Sequence, residues 1–230
     1  MGSTAKQKYL DGFHLVVKKD CATCEMVEPV ARHLAETSQL FLYVQDDPEF
    51  LHDLVNWHHD ETLEHSFHLD IETVPTLIKF QGGREVSRTI GWYQEEWAEL
   101  TGIAEIGSDL PAMRPGCGSK SVEPGAAEHL QVRYGETSLD SRTFELSKFQ
   151  DDQEYCYDRG WSDGLPVVPP TPERIVRMLS GTHRDPDEII GDIPPNLAPC
   201  TVEKVTINAV LAGCRPEYMP VLLTALKAAL

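Results

Sequence analysis

The stretch His14-Leu-Val-Val-Lys-Lys-Asp-Cys-Ala-Thr-Cys-Glu-Met-Val-Glu-Pro29 contains the strongest structural signal in the chain. Its first four residues form a short apolar run that is typical of a buried strand. The apolar residues after the second cysteine fall at helical spacing, and they are Met26, Val27, Val30, Ala31 and Leu34. The pair Cys21 and Cys24 is therefore predicted to lie on a turn from a strand into a helix.

This position of the two cysteines favours thiol–disulfide exchange. A thiolate is the attacking species, and the unpaired N–H groups and dipole of a helix N-terminus stabilise its negative charge. Cys21 is therefore the candidate nucleophile. Cys24, one turn further on, is close enough to attack a mixed disulfide on Cys21 and release the reduced product. Zinc sites use the same spacing, so the pair alone leaves a metal site open.

The residues beyond the pair predict the order strand, helix, strand, helix, hairpin, helix. The predicted segments are strands over Leu40–Val44, Thr76–Phe80 and Arg84–Ile90, an acidic helix over about Pro48–Phe67, and a last helix after Gly91. A Gly82-Gly83 turn joins the two hairpin strands. This alternation of strands and helices is typical of an α/β fold.

Three separated segments resemble the thioredoxin family in the right order, over about residues 13–103. Pro29 lies five residues after the second cysteine, where that family has a kinking proline. The run Ile71–Val86 resembles the family's stretch with a cis-proline and the central hairpin, and Gly91 matches the glycine before its last helix. The resemblance implies a thioredoxin-like fold, with a central mixed sheet flanked by helices.

The resemblance also implies roles for individual residues. The catalytic residues would be Cys21 and Cys24, and the substrate-binding residues would be Val74, Pro75, Thr76 and Gly91. The Val74-Pro75 bond would be cis and lie against the cysteines, and the Val74 backbone would pair with an incoming peptide like an added strand. The implied activity is that of a protein-disulfide reductase acting on protein or small-molecule disulfides, with no cofactor and no bound metal.

Two departures from the family pattern predict slower or more specialised exchange. Asp20 stands before the first cysteine, where its negative charge raises the pKa of Cys21, whereas Lys18 and Lys19 lower it. The family also buries an acidic residue beneath its second cysteine, and Leu15 falls near that position. Proton removal from the second thiol would then need water or another group.

Cys117 is a possible third redox cysteine. It lies in Arg114-Pro-Gly-Cys-Gly-Ser-Lys120, which predicts a flexible glycine-rich loop with two basic residues nearby. An accessible thiol in such a setting can be reactive, although an ordinary loop cysteine fits the pattern as well. The remaining cysteines are interpreted as buried small apolar residues, and they are Cys156, Cys200 and Cys214.

The histidines of the predicted acidic helix offer a weaker alternative site. Four of them have two glutamates among them: the histidines are His58, His59, His65 and His68, and the glutamates are Glu61 and Glu64. Spacings such as that from Glu61 to His65 place possible ligands on one helix face. The segment is acidic and polar, however, so a solvated helix is the favoured interpretation.

The overall charge disfavours acidic partners. The chain has 20 lysines and arginines against 37 aspartates and glutamates, a formal net charge of -17. Binding to nucleic acid or to an anionic membrane surface is therefore not expected. The first residues lack the apolar core of a signal peptide, and no apolar run approaches membrane-spanning length, so a cytoplasmic location is expected.

We expect three regions: a thioredoxin-like domain over 1–104, an irregular linker over 105–163 and a proline-rich, mainly helical module over 164–230. The linker is predicted to hold one short hairpin near Leu130–Phe144. In the module, helices are predicted from Thr171 through Leu179, over Val202–Ala212 and over Pro216–Leu230. The apolar face of the last helix predicts an incomplete domain, or one that associates with a partner or with itself.

The module loosely resembles a poorly characterised bacterial module linked to redox and selenoprotein-type systems. The stretches that carry this resemblance are Asp163–Pro172 and Val202–Pro220. Its polar candidate residues are Glu203, Asn208 and Arg215. Two other functions stay open from the sequence: a non-catalytic adaptor that assembles through these helices, and thiolate-based handling of a soft metal or organometal.

Overall fold

The structure is a computed structural model that describes residues 9–230, and it divides into two units at Leu130. The strands of the first unit are β1 (Gly12–Val17), β2 (Leu40–Val44), β3 (Trp57–His59), β4 (Thr73–Val74), β5 (Thr76–Gln81), β6 (Arg84–Ile90), β7 (Trp92–Tyr93), β8 (Met113–Arg114) and β9 (Cys117–Gly118). Its helices are α1 (Ala22–Met26), α2 (Glu28–Thr37), α3 (Glu64–His68) and α4 (Gln94–Thr101), and α5 (Ala126–Tyr134) runs across the division.

A five-stranded mixed sheet forms the centre of the first unit, in the order β3-β2-β1-β5-β6. The first three strands are parallel, whereas β5 is antiparallel to both β1 and β6. Leu15 on the central strand lies opposite Leu42 on one side and Leu77 on the other, and all three are fully buried. The mixed α/β architecture and the strands expected near residues 14, 40, 76 and 84 are therefore confirmed.

The helix predicted over about Pro48–Phe67 is wrong. This segment contains turns, the short strand β3 and the five-residue helix α3. Three of its residues have a left-handed backbone that a continuous helix cannot accommodate, namely Leu51, Asn56 and Leu63. His58 and His59 consequently lie on a strand beside β2, and not on the helix that carries His65 and His68.

Helix α4 ties the end of the sheet to the Pro75 backbone. Trp92 and Trp97 are both fully buried, with ring centroids 5.1 Å apart. The Trp97 indole N–H donates to the Gly91 carbonyl at 2.9 Å, and the Gly91 N–H donates to the Pro75 carbonyl at 2.7 Å. Gly91 has a φ of 74°, in the left-handed region that favours glycine. Packing of α4 therefore supports the backbone next to Pro75.

Residues 113–121, which we call the strap, run along the first unit after α4. Arg114 and Met113 pair with Trp92 and Tyr93, and the strap then supplies strand β9. The segment over 105–163, expected to be an irregular linker, thus contains β8, β9 and α5, together with a helix further on. The hairpin predicted near Leu130–Phe144 is wrong, because Ala126–Tyr134 is helical. A segment this short does not distinguish the two-residue period of a strand from the 3.6-residue period of a helix.

The second unit combines helices with one small antiparallel sheet. Its elements are α6 (Asp152–Asp158), α7 (Pro172–Leu179), β10 (Ile189–Ile193), β11 (Ala198–Thr201), α8 (Val202–Leu211) and α9 (Met219–Ala229). The helices predicted to begin near residues 171 and 202 are confirmed, and they are capped by Thr171 and Thr201, whose hydroxyls accept from the N–H groups of Arg174 and Lys204. The β10–β11 pair was not predicted.

The last helix buries only part of its apolar surface within the second unit. Met219 and Leu223 are buried in the core of that unit, whereas Val221 and Leu230 are exposed. Association through these helices stays a prediction. None of the helices in the described part of the chain has the length and apolar character needed to cross a membrane.

Candidate active site

Cys21 lies at the point where β1 leads into the first helix, as predicted. Its backbone is extended, and its sulfur accepts a hydrogen bond from the Cys24 N–H at 3.3 Å, so it caps α1 through its side chain. The helix is interrupted at Val27, and α2 restarts with Pro29 as its second residue. Both cysteines are buried, with exposed fractions of 4% for Cys21 and 0% for Cys24.

The Val74-Pro75 backbone lies against this sulfur. The bond is cis, as expected, and the Cys21 sulfur lies 3.5 Å from the Val74 carbonyl oxygen. The Thr76 hydroxyl donates to the Thr73 carbonyl at 2.7 Å, and Gly91 contacts Pro75 through its N–H. Val74 therefore contacts Cys21 directly, whereas Thr76 and Gly91 hold the backbone on either side of Val74 and Pro75.

The surroundings of the two sulfurs separate their acidities. The hydrogen bond from the Cys24 thiol lowers the pKa of Cys21 to about 5, which outweighs the opposing effect of burial. Hydrogen bonds from the Cys117 thiol and from the N–H groups of Cys24 and Thr23 lower the pKa further. For Cys24, burial and then the bond to Cys21 raise the pKa far above its ordinary range. At neutral pH Cys21 is the thiolate and Cys24 is the thiol.

Cys117 joins the cysteine pair, which sequence spacing alone did not show. It is half-buried on β9, and its thiol hydrogen-bonds to that of Cys21. Burial raises its pKa, and the hydrogen bond to Cys21 and the charge there raise it further. The glycine-rich sequence predicted a flexible loop, but the structure places Cys117 in a paired strand opposite Val74, so that interpretation of its setting is wrong.

An acidic hollow lies beside Cys21. It is lined by Lys19, Asp20, Ala22, Glu25, Asp46 and Asp47 together with Cys21 itself. Lys19 forms an ion pair with Glu25 at 2.5 Å. Burial raises the pKa of Asp46, but backbone N–H groups from Asp20, Lys19 and Asp47 lower it overall, so this carboxylate is ionised at neutral pH. The hollow therefore disfavours anionic ligands.

The thiolate of Cys21 is expected to titrate with a midpoint near pH 5. Since its pKa is lowered, the thiolate is present above that pH and lost as the pH falls through it. The measurement is the ultraviolet absorbance of the thiolate in the reduced protein, taken as a difference between wild type and Cys21→Ser. Cys24→Ala should move the midpoint upward, because it removes the strongest donor. A wild-type midpoint near that of an ordinary thiol, about 8.5, would contradict this assignment.

The other candidate residues make structural contacts. Glu203 is buried on α8 and accepts from the N–H groups of Asp140 and Ser141, both at 3.0 Å. Asn208 donates to the Lys204 carbonyl on the same helix, and Arg215 is exposed before a single 3-10 turn. Glu203 therefore holds the segment before α6 against its own unit.

The histidines pack mainly among aromatic rings and backbone. His58 stacks on Tyr43 and His65 packs against it at a tilt, with ring centroids 5.4 and 4.4 Å away. The His59 ring lies 3.2 Å from the Asp46 carbonyl. Over residues 9–230, no group of three or more histidine, cysteine, aspartate or glutamate side chains is arranged to hold a metal ion.

Sequence reasoning missed Thr23 and Gln45. The Thr23 hydroxyl, between the two cysteines, donates to the Pro115 carbonyl of the strap at 2.7 Å. Gln45 is buried at the end of β2, where its side-chain amide donates to the Ser119 hydroxyl at 2.7 Å. Both residues serve to hold the strap, so they gain meaning only once the strap is placed.

Comparison with known protein families found no family model that matches this chain, and a search of curated proteins found no match either.

Proposed function

We propose that the first unit is a thioredoxin-like thiol–disulfide oxidoreductase in which Cys21 attacks and Cys24 resolves. The observation that carries the proposal is the hydrogen bonding at Cys21. Its sulfur accepts hydrogen bonds from the Cys24 N–H at 3.3 Å and from the Cys24 thiol, which keep it ionised at neutral pH. A thiolate held this way is the species that thiol–disulfide exchange requires.

The reaction follows from the two acidities. The Cys21 thiolate attacks one sulfur of a substrate disulfide, the substrate S–S bond breaks, and the leaving sulfur takes the electron pair and a proton. Cys24 then loses its proton and attacks Cys21, forming the Cys21–Cys24 disulfide and releasing the second substrate sulfur as a thiol. The substrate gains two electrons and two protons; the cysteine pair supplies both electrons and the Cys24 proton, and water supplies the other proton.

The second step is the slower one in this proposal. Burial raises the pKa of Cys24 and persists in the mixed disulfide, so the Cys24 thiolate stays scarce even after Cys21 has lost its charge. Leu15, on the strand before the pair, is fully buried and has no group that accepts a proton. Water reaching the mixed disulfide is then the proton acceptor, which supports exchange that is more specialised than that of a general reductase.

The strand arrangement supports the thioredoxin-like assignment. The sheet consists of three parallel strands and an antiparallel hairpin, with β1 at its centre between β2 and β5. The cysteine pair lies shortly after this central strand. The Val74 backbone lies 3.5 Å from the nucleophile, where a peptide that adds as a strand would present its own sulfur. These are the positions that the sequence resemblance assigned to attack and to substrate binding.

Turnover tests the proposal. The reduced protein is expected to accelerate the reduction of insulin disulfides by dithiothreitol above the rate of dithiothreitol alone. Its Cys21–Cys24 couple is expected to have a midpoint potential of roughly −200 to −300 mV, within the range of reductases and the glutathione pool. Absence of turnover, together with a tight partner complex that Cys21→Ala leaves unchanged, would favour the adaptor function instead.

A further inference from the structure

Strand β9 occupies the edge at which a substrate peptide would pair. Its two residues are antiparallel to β4, with Cys117 opposite Val74 and Gly118 opposite Thr73. An extended peptide recognised by this backbone would use the same hydrogen-bonding edge. The chain's own strap therefore stands where the substrate strand is expected, and it presents a cysteine there.

Contacts on both sides fix Cys117 at this edge. Before it, the Pro115 carbonyl accepts from the Thr23 hydroxyl at 2.7 Å, which ties the strap to the helix of the cysteine pair. After it, the Ser119 N–H donates to the Glu72 carbonyl at 2.9 Å, and the Lys120 N–H donates to the Gln45 side chain at 3.1 Å. The thiol is thus held next to Cys21 by the fold.

Gly116 permits this close approach. A Cβ atom at position 116 would lie 2.4 Å from the Thr73 Cγ2 atom and 2.7 Å from the Val74 carbonyl oxygen. A Cβ atom at Gly118 would find its nearest neighbour at 3.8 Å. The two glycines that flank Cys117 therefore differ in their role, because only Gly116 must lack a side chain for the strap to contact the Val74 backbone.

We propose that Cys117 is a second disulfide partner of Cys21, besides Cys24, so that exchange at this site runs through three cysteines. The proposal rests on the proposed function, and it identifies the first thiol that exchanges with Cys21 as the Cys117 thiol of the strap. A peptide from another protein pairs with Val74 only after β9 has left this edge.

The step is an isomerisation of the oxidised site. The Cys117 thiol loses its proton and attacks the Cys21 sulfur of the Cys21–Cys24 disulfide. The bond between Cys21 and Cys24 breaks, a bond between Cys21 and Cys117 forms, and Cys24 leaves with the electron pair and takes up a proton. Two of the three cysteines are joined in a disulfide before and after the step, so the step needs no further oxidant or reductant.

The charge on Cys21 controls when Cys117 reacts. In the reduced site, burial raises the pKa of Cys117, and the hydrogen bond to Cys21 and the charge there raise it further. A disulfide at Cys21 carries no thiolate charge, so oxidation removes these latter contributions and makes Cys117 a more available nucleophile. The strap thiol is therefore protected in the reduced protein and activated by oxidation.

Trapping in the full-length Cys24→Ser protein tests the proposal. We choose bis(2-hydroxyethyl) disulfide as oxidant, since it is small and uncharged and the hollow beside Cys21 is acidic. Cys21 attacks it and releases one mercaptoethanol, and Cys117 then displaces the second. The expected product is a Cys21–Cys117 disulfide, identified by mass spectrometry of unreduced peptides. In Cys24→Ser/Cys117→Ser, the mercaptoethanol adduct should persist on Cys21.

Paired glycine variants test the placement of the strap. In the Cys24→Ser background, Gly116→Ala is expected to slow formation of the Cys21–Cys117 bond by about tenfold or more, since it displaces the reacting sulfur. The matched Gly118→Ala should leave the rate within about twofold, because its Cβ meets no close neighbour. Equal rates in the two variants would mean that strap pairing does not position Cys117.

The outcomes separate this inference from the proposed function. A stable mercaptoethanol adduct on Cys21 of Cys24→Ser, with Cys117 still a free thiol, overturns the role of Cys117 and leaves Cys21 as a nucleophile. A disulfide from Cys21 to any cysteine of the second unit overturns it as well. If Cys21 forms no adduct even in Cys24→Ser/Cys117→Ser, the proposed function itself fails.

Discussion

Cys21→Ser is expected to reduce insulin reduction to the rate of dithiothreitol alone. A serine hydroxyl is not ionised near neutral pH, so the variant lacks the thiolate that starts the reaction. The substitution changes one atom at the N-cap of α1, and a serine there still accepts from the residue 24 N–H. The loss of turnover should therefore occur without loss of folding, which circular dichroism of the variant would verify.

Cys214→Ser is the matched control for this change. It removes one thiol from the second unit, outside the three-sulfur cluster, and should leave turnover unchanged. Cys24→Ser/Cys117→Ser should also lose turnover, because neither thiol that can displace the second substrate sulfur remains, but it should keep the first step, the reaction of Cys21 with a small disulfide. Catalysis by Cys21→Ser equal to wild type would show that another group attacks the substrate.

The part of the site that sequence reasoning predicted is the part built from neighbouring residues. A strand, two cysteines and a helix follow one another within fifteen residues or so, so the local pattern alone places Cys21 at a helix N-terminus. The apolar strands near residues 40 and 76 and the hairpin at Gly82-Gly83 are predicted for the same reason. A strand that is buried on both faces is a nearly continuous apolar run, which can be recognised without any knowledge of its partners.

The strap could not be predicted in the same way. Its residues are mostly exposed or half-buried, and its pairing with Val74 depends on contacts with segments far away in sequence. Gly116 and Gly118 indicate a loop when taken alone, yet in the structure Gly116 permits close packing of two backbones. A cysteine between two glycines was the only local sign, and that pattern fits an ordinary loop equally well.

The helix prediction for the acidic segment is wrong for a different reason. Its polar residues fit a solvated helix, but a helix requires right-handed backbone throughout, and Leu51, Asn56 and Leu63 are left-handed here. Tertiary contacts determine this outcome: Trp57 pairs with Leu42 across β3 and β2, and the Asp60 carboxylate accepts from the N–H groups at the start of α3. Periodicity carries no information about such contacts.

Trp97→Ala is expected to be the most destabilising single change in the first unit. The side chain is fully buried against Trp92, and its truncation leaves a cavity and an unpaired Gly91 carbonyl. Loss of a buried tryptophan costs about 3–5 kcal/mol of the free energy of unfolding. Because Gly91 also donates to the Pro75 carbonyl, the backbone beside Cys21 should loosen too.

Trp97→Phe separates packing from hydrogen bonding in this effect. It keeps most of the ring and removes the indole N–H, so it should cost about 1–2 kcal/mol, the price of one buried hydrogen bond. Urea unfolding followed by circular dichroism gives both values, and Val86→Ala, at an exposed position on β6, should stay within about 0.5 kcal/mol of wild type. If Trp97→Phe is as unstable as Trp97→Ala, the hydrogen bond to Gly91 and not the packing of α4 holds this end of the sheet. If both variants unfold like wild type, α4 does not support the Pro75 backbone, and the rigidity assigned to that edge is lost.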